Sequence, residues 1–178
     1  MKASGDEAAL AVLEEAMEVE RQGEAFYEEA AEHVQDPAGK AVFQTLARDE
    51  VQHLRLLQAE HDAIRSHRDW IDLDEAKAYE LSSPLKLFPD KREASLVIPA
   101  DATDEHALEL AMKFEDKGYT MYVGAAADAT DSRAAELFEF LAKQENSHYA
   151  FLLKTYDYLT TEGTWYFDEQ EFPMFEGG

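Results

Sequence analysis

The chain is predicted to be all-α, a four-helix bundle made of two repeated helical hairpins joined by a long crossover. Three observations carry that prediction. Apolar residues recur at three- and four-residue spacing through four long stretches. Aspartate-capped turns divide the four stretches into two pairs. Sliding the sequence by 95 residues lays one pair on the other with no gap.

The first helix is expected from about Asp6 to His33, with Leu13, Ala16, Met17, Glu20 and Tyr27 on one face. Asp36 followed by Pro37 reads as an N-cap with proline in the first turn, which starts a second helix running to about Arg68. So short a connection forces the two helices antiparallel. Residues 69–102 carry three prolines and no sustained period, the pattern of a crossover with one short helix. A third helix is expected from about Thr103 to Ala129. A fourth runs from Ser132 to about Thr160, with Asp131 as the matching cap. At 1.5 Å per residue these helices would be roughly 40 to 45 Å long, far above the globular average. The last stretch, GTWYFDEQEFPMFEGG, mixes aromatics with acids and is expected to pack over the bundle or a neighbouring subunit, or to close the site. Length favours a single domain over residues 1–178.

Acidic side chains outnumber basic ones 39 to 16, giving a formal net charge of −23 and a pI near 4.4. Such a surface repels phosphate backbones and anionic lipid, so no nucleic-acid or membrane partner is expected. The sequence has no cysteine, which removes disulfides, thiolate metal sites and cysteine nucleophiles together. MKASGDEAALAVLEEAM contains no charge-free apolar core, and no apolar run approaches membrane-spanning length. A cytoplasmic protein is the expectation.

The repeat singles out the chemistry. The 95-residue shift aligns Leu13 with Leu108, Met17 with Met112, Glu20 with Glu115, Gly23 with Gly118 and Tyr27 with Tyr122. It also aligns Phe43 with Phe138, Leu46 with Leu141, Glu50 with Glu145, His53 with His148 and Leu57 with Leu152. In the second helix of each hairpin, Glu50 and His53, or Glu145 and His148, are three apart and neighbours on an otherwise apolar face. Glu20 and Glu115 interrupt the apolar stripes of the first helices. Four carboxylates and two imidazoles turned into a dry core are costly unless paired. Two divalent cations supply +4 against the −4 of the glutamates. One Glu from each of two helices, with Glu-x-x-His from each of the other two, is the ligand set of a dinuclear carboxylate centre. Oxygen and imidazole donors suit iron, manganese or zinc; two iron ions are favoured because a carboxylate-bridged pair accepts and donates two electrons. A surface Glu-x-x-His arising by chance is the plain alternative for one motif, and loss of the metal with protonated core groups is the alternative for the set.

Tyr27 and Tyr122 lie two turns beyond Glu20 and Glu115. They are candidate catalytic residues through hydrogen bonds to ligand carboxylates or bound oxygen species, or else core aromatics with partnered hydroxyls. Gly23 and Gly118, inside helices, indicate close approach of a helix or a bulky side chain. Glu24, one turn past Glu20, is a candidate mobile ligand, although its repeat counterpart is Tyr119 and exposure is the simpler expectation. His33, His61, His67 and His106 have no counterparts and are expected at the surface.

EVERQGEAFYEEAAEH with DEVQHLRLL, and LAMKFEDKGYTMYVGAA with QENSHYAFLL, resemble the rubrerythrin branch of the ferritin-like di-iron superfamily. The resemblance covers both hairpins and implies that Glu20, Glu50, His53, Glu115, Glu145 and His148 are the di-iron ligands. It further implies that Glu50 and Glu145 bridge and that Tyr27 and Tyr122 flank the site. Family members that react with peroxide reduce it to water with electrons from a carrier. The four-cysteine rubredoxin domain is absent from this sequence, so the resemblance implies an external electron-donor protein. Standard rubrerythrins also carry a further glutamate where this chain has Met112, and the symmetric six-ligand set resembles ferroxidase centres too. The leading expectation is therefore a di-iron oxidoreductase reducing hydrogen peroxide or dioxygen. A ferroxidase handling Fe(II) and a non-catalytic, metal-stabilised helical binding protein are the alternatives. A homodimer is expected, since rubrerythrin-like bundles often pair.

Overall fold

The computed structural model describes residues 2–78 and 98–167, with side chains from residue 5 onward. Most of the expected crossover and all but the first few residues of the expected tail lie outside the described residues. The helices are α1 (Lys2–His33), α2 (Pro37–Arg65), α3 (Leu73–Lys77), α4 (Asp104–Asp128) and α5 (Ser132–Glu162). Short α3 is the helix expected within the crossover.

Local chemistry fixes the ends as the caps predicted. The Asp36 carboxylate accepts from the Ala38 and Gly39 amides beneath Pro37, and Asp131 accepts from Arg133 N. Thr103 accepts from His106 N, so α4 begins one residue later than the periodicity indicated. Gly163, at φ 70°, closes α5 in the left-handed conformation. α1 packs chiefly on α2, and α4 on α5, which makes two antiparallel hairpins. The result is an all-α ferritin-like bundle. Among the described residues no helix is long and apolar enough to cross a membrane.

Buried apolar side chains form two clusters rather than one. Leu13, Met17, Leu57, Tyr122, Phe138 and Leu141 belong to the first, and Tyr27, Phe43, Leu46, Leu108 and Leu152 to the second. Each of these residues has its 95-residue counterpart in, or packed against, the other cluster: Leu13 against Leu108, Tyr122 against Tyr27, Phe138 against Phe43. The hairpins are related by an approximate twofold that exchanges the ends of the bundle. Along every long helix the chain passes from one cluster to the other through the level of the Glu and His residues, so the polar layer lies where the pseudo-axis crosses the core.

His61 departs from the expectation of a surface position. It is 3% exposed, with Nε2 3.4 Å from Glu14. Its place on α2 explains this, because Leu54, Leu57, His61 and Ile64 continue one inward stripe at three- and four-residue steps. His33 is half-buried, its Nε2 2.8 Å from the Ala102 carbonyl; His106 is half-buried as well, whereas His67 is exposed.

Candidate metal centre

Glu20 from α1, Glu50 and His53 from α2, Glu115 from α4, and Glu145 and His148 from α5 come together in the middle of the bundle, each 0–1% exposed. Two quartets emerge. One is Glu20, Glu50, His53 and Glu145; the other is Glu50, Glu115, Glu145 and His148, and within each quartet one ligand atom per residue lies within 4.8 Å of all the others. Glu50 and Glu145 belong to both. The two imidazoles stack with centroids 5.5 Å apart and planes 21° apart, as the pseudo-twofold requires.

Nδ1 of His53 is 3.3 Å from Glu20 Oε2 and 3.2 Å from Glu145 Oε1, and Nδ1 of His148 is 3.5 Å from Glu115 Oε2. Both oxygens of Glu50, Glu115 Oε2, Glu145 Oε1 and His148 Nδ1 are buried with no hydrogen-bond partner. Buried polar atoms without partners are rare and demand an explanation. These converge from α2, α4 and α5 and carry the donor types that iron, manganese or zinc accept. The residues present therefore fit a pair of metal ions.

Without metal the cluster holds protons. Burial, then the charges of Glu20 and Glu145, push the Glu50 carboxyl well above the usual carboxylate range. Burial, then Glu115 and Glu20, do the same to Glu145. For His148 burial acts downward, but the Glu115 and Asp49 carboxylates outweigh it and push the imidazole up to about 10. His53 is raised in the same way, with burial opposed chiefly by Glu20. Glu20 is the exception: burial would raise it, yet His53 and a hydroxyl donor hold it below the usual range.

The two tyrosines cross between hairpins. Tyr27 on α1 donates its hydroxyl to Glu115 Oε1 on α4, and Tyr122 on α4 donates to Glu20 Oε1 on α1. Each bond occupies one carboxylate oxygen; on Glu115 it leaves Oε2 facing the cluster. Burial and the adjoining carboxylates raise both phenols well above their ordinary value, so both keep their protons at neutral pH.

Glycine makes the centre possible. A Cβ on Gly118 would sit 2.5 Å from Glu145 Oε2, and one on Gly23 would sit 2.7 Å from the Phe114 ring and 3.2 Å from Glu50 Cδ. The two shared glutamates thus lie over Gly23 and Gly118. Glu24 is half-buried, its carboxyl raised by burial and by Glu28, and it joins neither quartet.

One residue escaped the sequence reading. Asp49, 7% exposed, has Oδ2 3.1 Å from His148 Nε2. A carboxylate can only accept, so the proton sits on Nε2 and Nδ1 is left for the cluster. Its repeat counterpart is Gln144, so the repeat gave no signal there.

A ferritin-like bundle with two carboxylate-imidazole quartets sharing two glutamates defines the class: a helical protein with a buried carboxylate-imidazole cluster able to hold metal. The family model described as Rubrerythrin matches residues 11–156, and the chain belongs to the rubrerythrin family. Comparison with curated proteins and with solved structures gave no match.

Proposed function

We propose that this protein is a di-iron oxidoreductase that reduces hydrogen peroxide, with Glu20, Glu50, His53, Glu115, Glu145 and His148 as ligands and electrons drawn from an external donor. The observation that carries the reading is the pair of buried quartets sharing Glu50 and Glu145. A bound iron pair would supply two-electron redox chemistry. Glu50 and Glu145 span both positions, and Tyr27 and Tyr122 fix the outer carboxylates by cross-hairpin hydrogen bonds. Asp49 fixes the tautomer of His148. The two apolar clusters exclude bulk water.

Ferroxidase activity is the second reading. It is favoured by the half-buried Met112 in place of a further carboxylate and by a net charge of −23 that draws cations inward. The deciding experiment is stopped-flow absorbance of anaerobically prepared di-ferrous protein mixed separately with hydrogen peroxide and with dioxygen, after elemental analysis. Rapid stoichiometric oxidation by peroxide with iron retained, and slow reaction with dioxygen, supports the peroxide reductase. Fast reaction with dioxygen followed by release of ferric iron establishes the ferroxidase. Two equivalents of zinc with no redox change would refute both.

A further inference from the structure

The repeat states the six Glu and His residues and the two tyrosines twice, so the places where it breaks around the centre carry information of their own. One break lies behind the imidazoles. Asp49, the residue before Glu50, holds His148 Nε2 through Oδ2 at 3.1 Å. Its 95-residue counterpart, the residue before Glu145, is Gln144, a neutral amide whose Oε1 is buried with no hydrogen-bond partner. A carboxylate behind a ligating imidazole fixes its tautomer and orientation and makes the other nitrogen a stronger donor; losing it costs a metal site about 10- to 100-fold in affinity. His148 has that support from Asp49. Gln144 is uncharged and cannot give it to His53.

The second break lies in the wall between α1 and α4. Phe114 and Phe26, each 2% exposed, stack at 6.3 Å and 17°, and Phe114 meets Tyr27 edge-on at 6.2 Å and 82°. Tyr27 donates to Glu115, so the three rings close the side of the centre that Glu115 and His148 serve. The 95-residue counterparts of Phe114 and Phe26 are Val19 and Met121, both half-buried. The pseudo-twofold puts them on the side served by Glu20 and His53, next to Tyr122, which donates to Glu20. The glycines record the same difference. Phe114 fills the space over Gly23, where a Cβ would lie 2.7 Å from its ring, whereas the three atoms nearest a Cβ on Gly118 all belong to Glu145. Smaller, partly exposed side chains therefore stand where the other half has packed rings.

We propose that the two metal positions are unequal: the one served by Glu115 and His148 fills first and is retained, and the one served by Glu20 and His53 is weaker and exchanges with solution past Val19 and Met121. The proposal rests on the reading of the cluster as a dinuclear metal centre and not on the choice of oxidant. Both breaks act in the same direction. The difference in hydrogen bonding sets the order of affinity, and the difference in cover sets the order of exchange. One position is thereby resident and the other fills and empties, although the six ligands themselves are symmetric.

The test titrates the metal-free full chain with Co(II) under argon, followed by calorimetry and visible absorption, and then withdraws the ions with a chelator in a stopped-flow mixer. Two steps separated by about 10- to 100-fold in affinity are expected. One ion is expected to leave about tenfold or more faster than the other. Exchanging the two supports in Asp49→Gln/Gln144→Asp keeps the composition and all six ligands and is expected to reverse the order of filling. The order is read from paramagnetically shifted imidazole resonances at one equivalent of Co(II): the His148 ring shifts first in wild type and the His53 ring first in the exchanged variant. Phe114→Val is expected to speed release of the slow ion about tenfold and leave the fast ion as it was. Two equal steps in wild type, or the same order of filling in the exchanged variant, would overturn the proposal and leave the dinuclear reading standing. Failure of wild type to bind two equivalents of Co(II) refutes the dinuclear reading and the proposal with it.

Discussion

Replacing Gly118 by alanine places one methyl group where the structure has least room. The new Cβ would lie 2.5 Å from Glu145 Oε2, and ordinary contact begins near 3.4 Å, so the carboxylate must retreat by about 0.9 Å. Metal sites tolerate ligand displacements of only about 0.2 Å. Glu145 serves both quartets, so its retreat disturbs both metal positions. Overpacking costs about 1 to 3 kcal/mol, whereas replacing a helical glycine by alanine gains about 1 kcal/mol. The metal-free variant is therefore expected within about 2 kcal/mol of wild type, while its affinity for two equivalents of Fe(II) or Co(II) falls by roughly 10- to 100-fold. Gly124, six residues further along α4, is the control, since a Cβ there meets nothing within 4 Å. Gly124→Ala should gain up to about 1 kcal/mol and bind metal normally. Urea unfolding of the metal-free proteins and chelator-competition titration of both variants decide the matter. If Gly118→Ala gains as much stability as Gly124→Ala and binds both metals as wild type does, this glycine does not clear space for the shared Glu145 carboxylate.

Three further outcomes are expected. Asp49→Ala leaves the His148 Nε2–H without its acceptor and should weaken the metal position served by His148 by roughly 10- to 100-fold, with Asp49→Asn intermediate; equal stepwise affinities in all three proteins would remove Asp49 from the site. At pH 7 both imidazoles of the metal-free protein are charged, His148 having been pushed up to about 10, so metal binding must expel at least one proton from each. Affinity should then rise with pH, and calorimetry in buffers of different ionisation heat should count about two protons or more; a count near zero contradicts the assignment. Glu60, fully buried near the end of α2 with Oε2 accepting from Ile71 N at 3.1 Å, is pushed by burial from 4.5 up to about 7. A carboxyl raised on folding contributes stability that is fully present below pH 4.5 and is lost as pH rises through 7, about 3 kcal/mol in all. Glu60→Gln should abolish that slope in urea unfolding of the metal-free protein, and an unchanged slope would place the titration elsewhere.

Sequence by itself determined the helices, their caps, their pairing into hairpins and the six Glu and His residues of the candidate centre. These follow from local spacing and from the repeat: an i, i+3 pair on an apolar face is legible along one helix, and the 95-residue register states each feature twice. Gly23 and Gly118 were legible as places of close approach for the same reason. Tertiary structure alone decided who meets whom. Tyr27 reaches Glu115, Tyr122 reaches Glu20 and His148 reaches Asp49 across separations of 88, 102 and 99 residues, and no periodicity within a helix encodes a partner on another. Asp49 was also hidden because its counterpart is an amide, so the repeat was silent there. His61 is the opposite case: it lies on an inward stripe, yet a histidine without a repeat counterpart reads as a surface residue, and only packing under α1 buries it. The division of the six Glu and His residues into two quartets sharing Glu50 and Glu145 belongs to the bundle, because it depends on the pseudo-twofold that sets one hairpin against the other.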